Sequence, residues 1–214
     1  GNVVAMLGGR KTGDVTFGLN RAVQTDRTNG STAKPLMDYA PAIEYLDWAT
    51  YHPIKDNRYV YPGTNIQLYD FDHQYKGLMT MRQALIESRN VPAIRALAAV
   101  GITKAQNFIS QMGFDYDKTL EYQNGIGLPS STLQNAAAYA AFANGGTYYQ
   151  PQYIKEIVTG DGERKEFSSS GKQVMQSSTA YMITDMLKGV ITSPEGTGTR
   201  ANISGLYQAG KTGT

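Results

Sequence analysis

This chain of 214 residues has no cysteine, one tryptophan and two histidines. Without cysteine there are no disulfide bonds and no thiolate metal sites, and the composition fits a bacterial surface protein as well as a cytosolic one. His52 and His73 have no neighbours at ligand spacing, so we predict neither a metal site nor a Ser-His-Asp triad. No cofactor is expected.

Strong charge and long apolar runs are also missing. The formal net charge is +2, and no basic cluster is longer than Arg10-Lys11 or Arg164-Lys165, so nucleic acid is not an expected partner. No apolar run approaches the roughly 20 residues of a membrane span, and no signal peptide is visible, so any anchor is expected N-terminal to this sequence. The 41% of apolar residues suffice for one sizeable core, or for one domain with an appendage.

Hydrophobic periodicity and glycine and proline positions predict an α+β chain with one helix-rich body. A buried strand is predicted at Asn2–Leu7, a hairpin around Gly160–Gly162, and a final strand at Tyr207–Thr214. Residues 47–77 are predicted to be irregular, and 196–205 to form a loop. Helices are predicted over 31–46, 79–87, 93–100, 103–112, 131–144 and 176–192, with Pro41 kinking or splitting the first.

Three short polar motifs occur in one order: Ser31–Lys34, Ser88–Asn90 and Lys211–Gly213. Each is weak alone, since Ser169–Lys172 and Lys11–Gly13 repeat two of the patterns. Alone, the first motif is also typical of a helix cap with a solvated lysine, and the second of a turn. Together they are the parts of a serine acyl-transfer site that uses lysine as its base.

The predicted helix places Ser31 and Lys34 for this chemistry. Ser31 at the helix start has its hydroxyl near free backbone N–H groups and the positive end of the helix dipole. Lys34 projects from the same face one turn later and can reach the Ser31 oxygen. It works as a base only if burial and a second cation, which Lys211 can supply, displace its proton. Ser88 could relay a proton between the lysines, and Asn90 could hold a substrate amide while bonding Lys34.

The last motif suggests how a peptide substrate would be held. A strand at Lys211–Thr214 can align beside an extended peptide, and Gly213 lets the substrate backbone come close. The backbone N–H groups of Ser31 and Thr214 could form an oxyanion hole, an effect worth roughly 3 kcal/mol per donor. Thr212 and Thr214 are also compatible with a role as ordinary strand residues.

The motifs and their flanking residues match a known family. The chain resembles the transpeptidase domain of penicillin-binding proteins, and most resembles the bifunctional class A type of Gram-positive bacteria. The resemblance rests on Leu19–Ala22, Gly30–Pro35, Pro62–Thr64, Ser88–Ala93, Ala136–Gly146 and Gln208–Thr214. It implies a helix-rich subdomain beside an antiparallel sheet of the serine β-lactamase and penicillin-binding type, with residues 1–214 as one transpeptidase domain.

The resemblance also implies a reaction. Ser31 would attack the D-Ala-D-Ala bond of a peptidoglycan stem peptide, D-Ala would leave, and an amine on a neighbouring stem would resolve the acyl-enzyme, with carboxypeptidase activity as a side reaction. β-Lactam antibiotics would acylate the same serine. The family roles are Lys34 as base, Ser88 as proton relay, Asn90 for substrate position, Lys211 for electrostatic support, and Thr212 and Thr214 for the carboxylate. The expected place of action is the extracytoplasmic face of the bacterial membrane, in the cell wall compartment.

The sequence departs from the family in two ways. Related domains begin with one more strand before Val3–Leu7 and continue after the Lys-Thr-Gly strand with two further strands and a helix. We therefore expect the domain to be incomplete at both ends, and the 214 residues not to fold alone. Missing segments of the same protein, or a second chain, would complete the sheet. No glycosyltransferase motif is present, so the class A resemblance is local.

Three alternative functions stay open. A serine β-lactamase of the commonest class needs a Glu-x-x-x-Asn loop for deacylation, whereas Glu121 has Asn124 three residues on, not four. A β-lactam sensor would need a receptor membrane segment, which this sequence lacks. An inactive fragment kept for assembly would not bind labelled penicillin.

Overall fold

The computed structural model describes residues 1–10, 13, 18–24 and 27–214. The α-helices in this part of the chain are α1 Ala40–Leu46, α2 Met81–Ile86, α3 Asn90–Val100, α4 Ile102–Ser110, α5 Thr132–Ala143 and α6 Ser177–Thr192. Helices α2 to α6 confirm the corresponding predicted helices with small shifts at the ends, whereas the helix predicted over 31–46 is α-helical only from Ala40. Among α2 to α6 the largest shift is in α3, where Pro92 lies inside the first turn and not before it, because a first-turn residue needs no N–H partner. Among the described residues, no helix is long and apolar enough to cross a bilayer.

The strands of the described residues form separate antiparallel pairs. They are β1 Arg27–Thr28 with β6 Pro129–Ser130, β2 Pro53–Asp56 with β5 Gly77–Thr80, β3 Tyr59–Val60 with β4 Gln67–Leu68, β7 Thr147–Tyr148 with β10 Lys172–Gln173, and β8 Glu156–Val158 with β9 Arg164–Glu166. The β8–β9 hairpin confirms the turn predicted at Gly160–Gly162. The prediction for residues 47–77 is wrong in part, since two strand pairs order this segment. The mixed helix and antiparallel architecture is as predicted.

The prediction of a buried strand at Asn2–Leu7 is wrong. Val4 is 95% exposed. Within the described residues the segment pairs through a bridge from Asn2 to Gln152 and through the Val3 N–H, which donates to the Gln152 carbonyl at 2.8 Å. An apolar strand is buried only when neighbouring strands or a packed layer cover it, and a single bridge gives no such cover.

The prediction of a final strand at Tyr207–Thr214 is also wrong. In the described part of the chain this segment has no ladder partner, and its Gly210 N–H bonds to the Leu187 carbonyl of α6 at 3.3 Å. A strand forms only beside another strand that can exchange backbone hydrogen bonds, and here the neighbour is a helix whose carbonyls are mostly used.

The segment that begins at Ser31 changes helix type along its length. A 3-10 turn over Gly30–Thr32 leads into a π-helix over Lys34–Tyr39, and α1 follows. The Ala40 N–H bonds to the Pro35 carbonyl, five residues back, which closes the wider π turn. Pro41 then falls in the first turn of α1, where its missing N–H costs little. The predicted split therefore takes the form of a π-to-α transition.

The core surrounds this π-helix, which packs against α1, α3 and α4. Large side chains that are fully buried come from the π-helix, α3 and α4: Leu36, Met37, Tyr39, Ile94, Leu97, Phe108 and Ile109. Helix α1 adds Ile43, which is also buried. Close packing on every side fixes the π-helix in one position. Lys34, which lies on the π-helix, is thus held by the core, and Ser31 lies in the turn directly before it.

Candidate active site

Lys34 is fully buried on the π-helix and points at the connection between α2 and α3. Its Nζ donates to the Ser88 carbonyl at 2.6 Å, to Ser88 Oγ at 3.2 Å and to Asn90 Oδ1 at 2.8 Å. The predicted bond between Lys34 and Asn90 is therefore present. All of these partners are uncharged, so the ammonium is buried without a carboxylate bonded to it.

Burial is the main reason that the pKa of Lys34 falls to about 7, and the positive charge of Lys211 lowers it further. The negative charges of Asp38 and Asp70 act in the opposite direction with smaller effect. At neutral pH a substantial fraction of Lys34 is therefore the free amine, which is the form that can accept a proton. Burial and a second cation are the two causes that the sequence-based prediction of a lysine base required.

Lys211 reaches the same serine from the other end of the chain. Its Nζ donates to Ser88 Oγ at 2.7 Å, and to the carbonyl and hydroxyl of Thr212 at 3.2 Å each. Burial lowers the pKa of Lys211 to about 8. Ser88 Oγ thus lies between two amines, with Lys34 on its other side.

Ser88 has an unusual backbone conformation, with φ at +57°. It follows the end of α2, and Arg89 then returns to an extended conformation as the N-cap of α3. A left-handed residue between two helices reverses the chain sharply, and non-glycine residues held this way are concentrated at functional sites. The turn directs both the hydroxyl and the carbonyl of Ser88 at Lys34.

Arg89, which is not one of the predicted site residues, holds this turn in place. Its guanidinium is fully buried and lies 3.0 Å from Asp56, 3.5 Å from Asp70 and 2.7 Å from Asp72. Asp70 also accepts a hydrogen bond from the Asn90 backbone N–H. Burial and a hydrogen bond with Asp56 raise the pKa of Asp70 to about 6. The turn between α2 and α3 is therefore tied to the 53–77 segment by a buried ion-pair cluster.

Ser31 lines a cavity of about 590 Å³. The other lining residues are Phe71, Ser88, Asn90, Ile126, Thr197, Thr212, Gly213 and Thr214. The direct bond expected from Lys34 to the Ser31 oxygen is not formed. Within the described residues Lys34 Nζ is fully engaged with Ser88 and Asn90, and nothing bonds Ser31 Oγ, so the hydroxyl is free to rotate.

The Lys-Thr-Gly-Thr segment packs directly on the turn before Ser31. Gly30 has φ at +56°, and a Cβ there would lie 2.7 Å from the Thr214 nitrogen and closer still to its carbonyl oxygen. A Cβ on Gly213 would lie 2.6 Å from the Asn29 carbonyl. Both glycines are needed because two backbones approach each other here. This approach brings the Thr214 peptide beside Ser31, as an oxyanion hole requires.

The second Ser-x-x-Lys pattern, Ser169–Lys172, takes no part in this site. Lys172 belongs to β10 and pairs with Tyr148, so Ser169 and Lys172 do not share a helix face. Of the second Lys-Thr-Gly, Lys11 and Thr12 lie outside the described residues, and Gly13 is in a turn. The ordered set of three motifs is the set that the fold brings together.

Comparison with known proteins identifies the family. The profile described as the penicillin binding protein transpeptidase domain matches residues 1–214. The chain belongs to this family. Penicillin-binding protein 1A of Streptococcus pneumoniae is 47% identical over 225 residues, covering 100% of this chain and 31% of that protein. Penicillin-binding protein 1A/1B of Bacillus subtilis is 42% identical over 203 residues, covering 92% of this chain and 22% of that protein.

Solved structures of the family have the same fold. The D,D-transpeptidase domain of the peptidoglycan glycosyltransferase from Eggerthella lenta matches with a TM-score of 0.78 at 24% identity, covering 91% of this chain and 55% of that chain. Penicillin binding protein 3 from Mycobacterium tuberculosis, complexed with aztreonam, matches with a TM-score of 0.79 at 24% identity, covering 94% and 50%. The chain thus spans a third or less of the two curated relatives and about half of these structures. The resemblance to the Gram-positive class A type is confirmed by the relatives.

Within this penicillin-binding domain the fold also brings in residues that the motifs did not indicate. Asp38 is fully buried one turn after Lys34, and neither of its carboxyl oxygens has a hydrogen-bond partner among the described residues. Burial raises its pKa well above the usual value. A Cβ on Gly125 would lie 2.5 Å from Asp38 Oδ1, so this glycine makes room for the carboxyl. A polar residue at a core position of the 31–46 helix is the signal that could have indicated Asp38.

Proposed function

We propose that this chain carries the site of a serine D,D-transpeptidase that cross-links peptidoglycan stem peptides through an acyl-enzyme on Ser31. β-Lactams acylate the same serine. The observation that carries the proposal is the position of Ser88 Oγ between the amines of Lys34 and Lys211, beside a cavity that Ser31 lines. Family membership and the D,D-transpeptidase domain among the structural neighbours support the same reaction.

In the acylation step, Ser31 Oγ rotates to the free amine of Lys34 and loses its proton to it. The oxygen then attacks the carbonyl carbon of the penultimate D-Ala, and the backbone N–H groups of Ser31 and Thr214 stabilise the oxyanion. The proton passes through Ser88 Oγ to the leaving nitrogen, the C–N bond breaks, and D-Ala departs. Lys211 keeps this route electropositive through its bond to Ser88 Oγ.

In the second step, an amine from a neighbouring stem peptide attacks the ester carbon of the acyl-enzyme. The amine gives its proton back along the same route, and Ser31 is released. Asn90 positions the substrate amide through its side-chain Nδ2, which has a second N–H beyond the one that bonds the Tyr69 carbonyl at 2.9 Å. Thr212 and Thr214 bind the substrate carboxylate, and Gly213 contributes through its close approach to the Asn29 carbonyl, which lies where a Cβ would be.

The lining of the cavity supports slow deacylation, in contrast to a β-lactamase. None of the described residues that line it is acidic, so no carboxylate is placed there to activate water. Glu121, the candidate that the sequence offers for a deacylating glutamate, lines a different pocket together with Tyr61 and Ile66. Its N–H bonds to Asn124 Oδ1 at 2.8 Å in a helix-cap arrangement.

The experiment is acylation of the protein at its full natural length by benzylpenicillin, followed by peptide mapping in a mass spectrometer. We expect one adduct, on the peptide that contains Ser31, and none in Ser31→Ala. An adduct on another peptide would overturn the assignment. Sustained nitrocefin turnover, in place of a single stoichiometric burst, would favour the β-lactamase alternative.

We further propose that the reaction takes place on the extracytoplasmic face of the bacterial membrane, where peptidoglycan is assembled. The segments that complete the sheet in related domains are its structural partners.

A further inference from the structure

A pair of hydroxyl groups lies at one wall of the cavity. The Oγ1 atoms of Thr197 and Thr212 are 2.7 Å apart, and both residues line the cavity with Ser31. Thr212 belongs to the Lys-Thr-Gly motif, whereas Thr197 comes from the loop after α6, which the sequence analysis left without any role. We propose that Thr197 is a specificity-determining residue that binds the carboxylate of the substrate together with Thr212. The inference rests on the proposed function and deepens it.

The pair of hydroxyl groups has one proton to donate to a ligand. A hydroxyl has one proton and can accept two hydrogen bonds. Thr212 Oγ1 already accepts from Lys211 Nζ at 3.2 Å. If Thr197 also donates to it, the Thr212 proton must point elsewhere; if Thr212 donates to Thr197, the Thr197 proton is left over. In both orientations one hydroxyl proton stays available to an acceptor outside the pair.

The surroundings favour an anion as that acceptor. None of the described residues lining the cavity is acidic, so no side-chain carboxylate of this wall competes for the proton. The ammonium of Lys211 is bonded to Thr212. A hydroxyl pair backed by a cation matches a carboxylate, since hydrogen bonds to an ionised oxygen are stronger than those between neutral groups.

The loop that carries Thr197 is held firmly against α6 and α2. The Gly198 N–H donates to the Val190 carbonyl at 2.9 Å, and the Thr197 N–H donates to the Ile86 carbonyl at 3.4 Å. A Cβ on Gly196 would lie 2.8 Å from the Gly189 carbonyl, so only glycine allows the loop this close. The backbone that carries the Thr197 hydroxyl is therefore held in place before a ligand arrives, as a specificity contact requires.

The test compares acylation by benzylpenicillin, which has a carboxylate, with acylation by its neutral methyl ester. The variants are Thr197→Val, which keeps the shape without the hydroxyl, and Thr197→Ser, which keeps the hydroxyl. Thr199→Val, a nearby change away from the cavity lining, is the matched control. In Thr197→Val we expect the rate constant with benzylpenicillin to fall about tenfold or more, because a bond to a charged group is lost. The ester rate stays near wild type and also reports that the variant is folded.

The remaining outcomes separate the inference from the proposed function. Thr197→Ser and Thr199→Val should both retain the preference for the acid over the ester. If Thr212→Val loses this preference and Thr197→Val keeps it, the inference is wrong and the proposed function stands. If Thr197→Val slows both compounds equally, Thr197 has a structural role only and the inference is again wrong. If Thr212→Val also keeps the preference, the proposed carboxylate site itself is wrong.

Discussion

Ser88 Oγ accepts a hydrogen bond from Lys211 Nζ at 2.7 Å, although 123 positions separate the two residues in the chain. Lys34 Nζ lies 3.2 Å from the same oxygen. Two buried amines that share one hydroxyl disfavour each other's protonation, because a second positive charge at this separation is costly. The two lysines are therefore electrostatically coupled, because both amines lie within hydrogen-bond distance of one serine, which relays the proton in the proposed mechanism.

The Ser88 hydroxyl should be required for chemistry but not for folding. Ser88→Gly removes the hydroxyl and suits the φ of +57°, since glycine adopts this conformation without strain. We expect acylation by benzylpenicillin to slow by about 10²-fold or more, as for loss of a proton-transfer group, with a thermal midpoint at or above that of wild type. Ser110→Ala, which removes an exposed hydroxyl far from the cavity lining, should change neither quantity. A Ser88→Gly rate within a few fold of wild type would rule out the relay.

The acylation rate should depend on pH in a bell shape. The pKa of Lys34 is lowered to about 7, mainly by burial and then by Lys211, and the deprotonated amine is the active form, so the rate rises with pH through this value. The pKa of Lys211 is lowered to about 8 by burial, and its ammonium is the supporting form, so the rate falls above that value. The check is the second-order rate constant for benzylpenicillin over this range. A profile that is flat across both values would contradict the assignment.

The close approach at Gly30 should be essential to the site. Gly30→Ala adds a Cβ only 2.7 Å from the Thr214 nitrogen, so Thr214 must move away from Ser31. Gly63→Ala is a matched control, because Gly63 also has a positive φ, +77°, but nothing lies within 4 Å of its Cβ position. Both variants should lose about 1 kcal/mol of stability from backbone strain, measured by urea unfolding. Only Gly30→Ala should lose acylation, by tenfold or more. Equal acylation rates in the two variants would mean that Thr214 is not part of the site.

The ion pairs of Arg89 should matter far more than those at the surface. Arg89→Met leaves Asp56 and Asp70 buried without their counter-ion, which should cost about 3–5 kcal/mol. Arg82→Met breaks the ion pair between the Arg82 side chain, which is 37% exposed, and the Asp185 side chain, which is 32% exposed. This change should lower the free energy of unfolding by about 1 kcal/mol or less. Urea unfolding of the two variants at neutral pH gives the comparison. Similar losses in both would show that the buried cluster does not stabilise the α2–α3 turn.

Much of the candidate site could be predicted because its residues occur in short sequence motifs. Ser31 and Lys34 are one turn apart, Ser88 and Asn90 flank one residue, and Thr212 follows Lys211, so the ordered set of motifs, together with the family resemblance, indicated what each could do. Helix ends were equally accessible, as at Ser131, whose Oγ accepts from the Gln134 N–H at 3.2 Å while Gln134 Oε1 accepts from the Ser131 N–H.

The failed predictions concern strands that need distant partners. Asn2–Leu7 has the apolar pattern of a buried strand, and Tyr207–Thr214 was predicted as a final strand, yet a strand is stabilised by the chain that lies beside it. The sequence pattern alone could not show that the Gly210 N–H bonds to a carbonyl of helix α6 and not to a neighbouring strand. The strand pairs within 47–77 were missed because their ladders are only two to four residues long.

By itself, the sequence determined which side chains the proposed chemistry can use: a serine and two lysines in a helical and turn context, with no cysteine in the chain. Only the tertiary structure decided that Arg89 supports the turn, that Asp38 is buried beside Lys34, and that Thr197 meets Thr212. The reason is physical. Helix periodicity and caps act between residues a few positions apart, whereas burial and long-range hydrogen bonds depend on which segments pack together. The lowered pKa of Lys34, on which the proposed reaction depends, is a property of that packing.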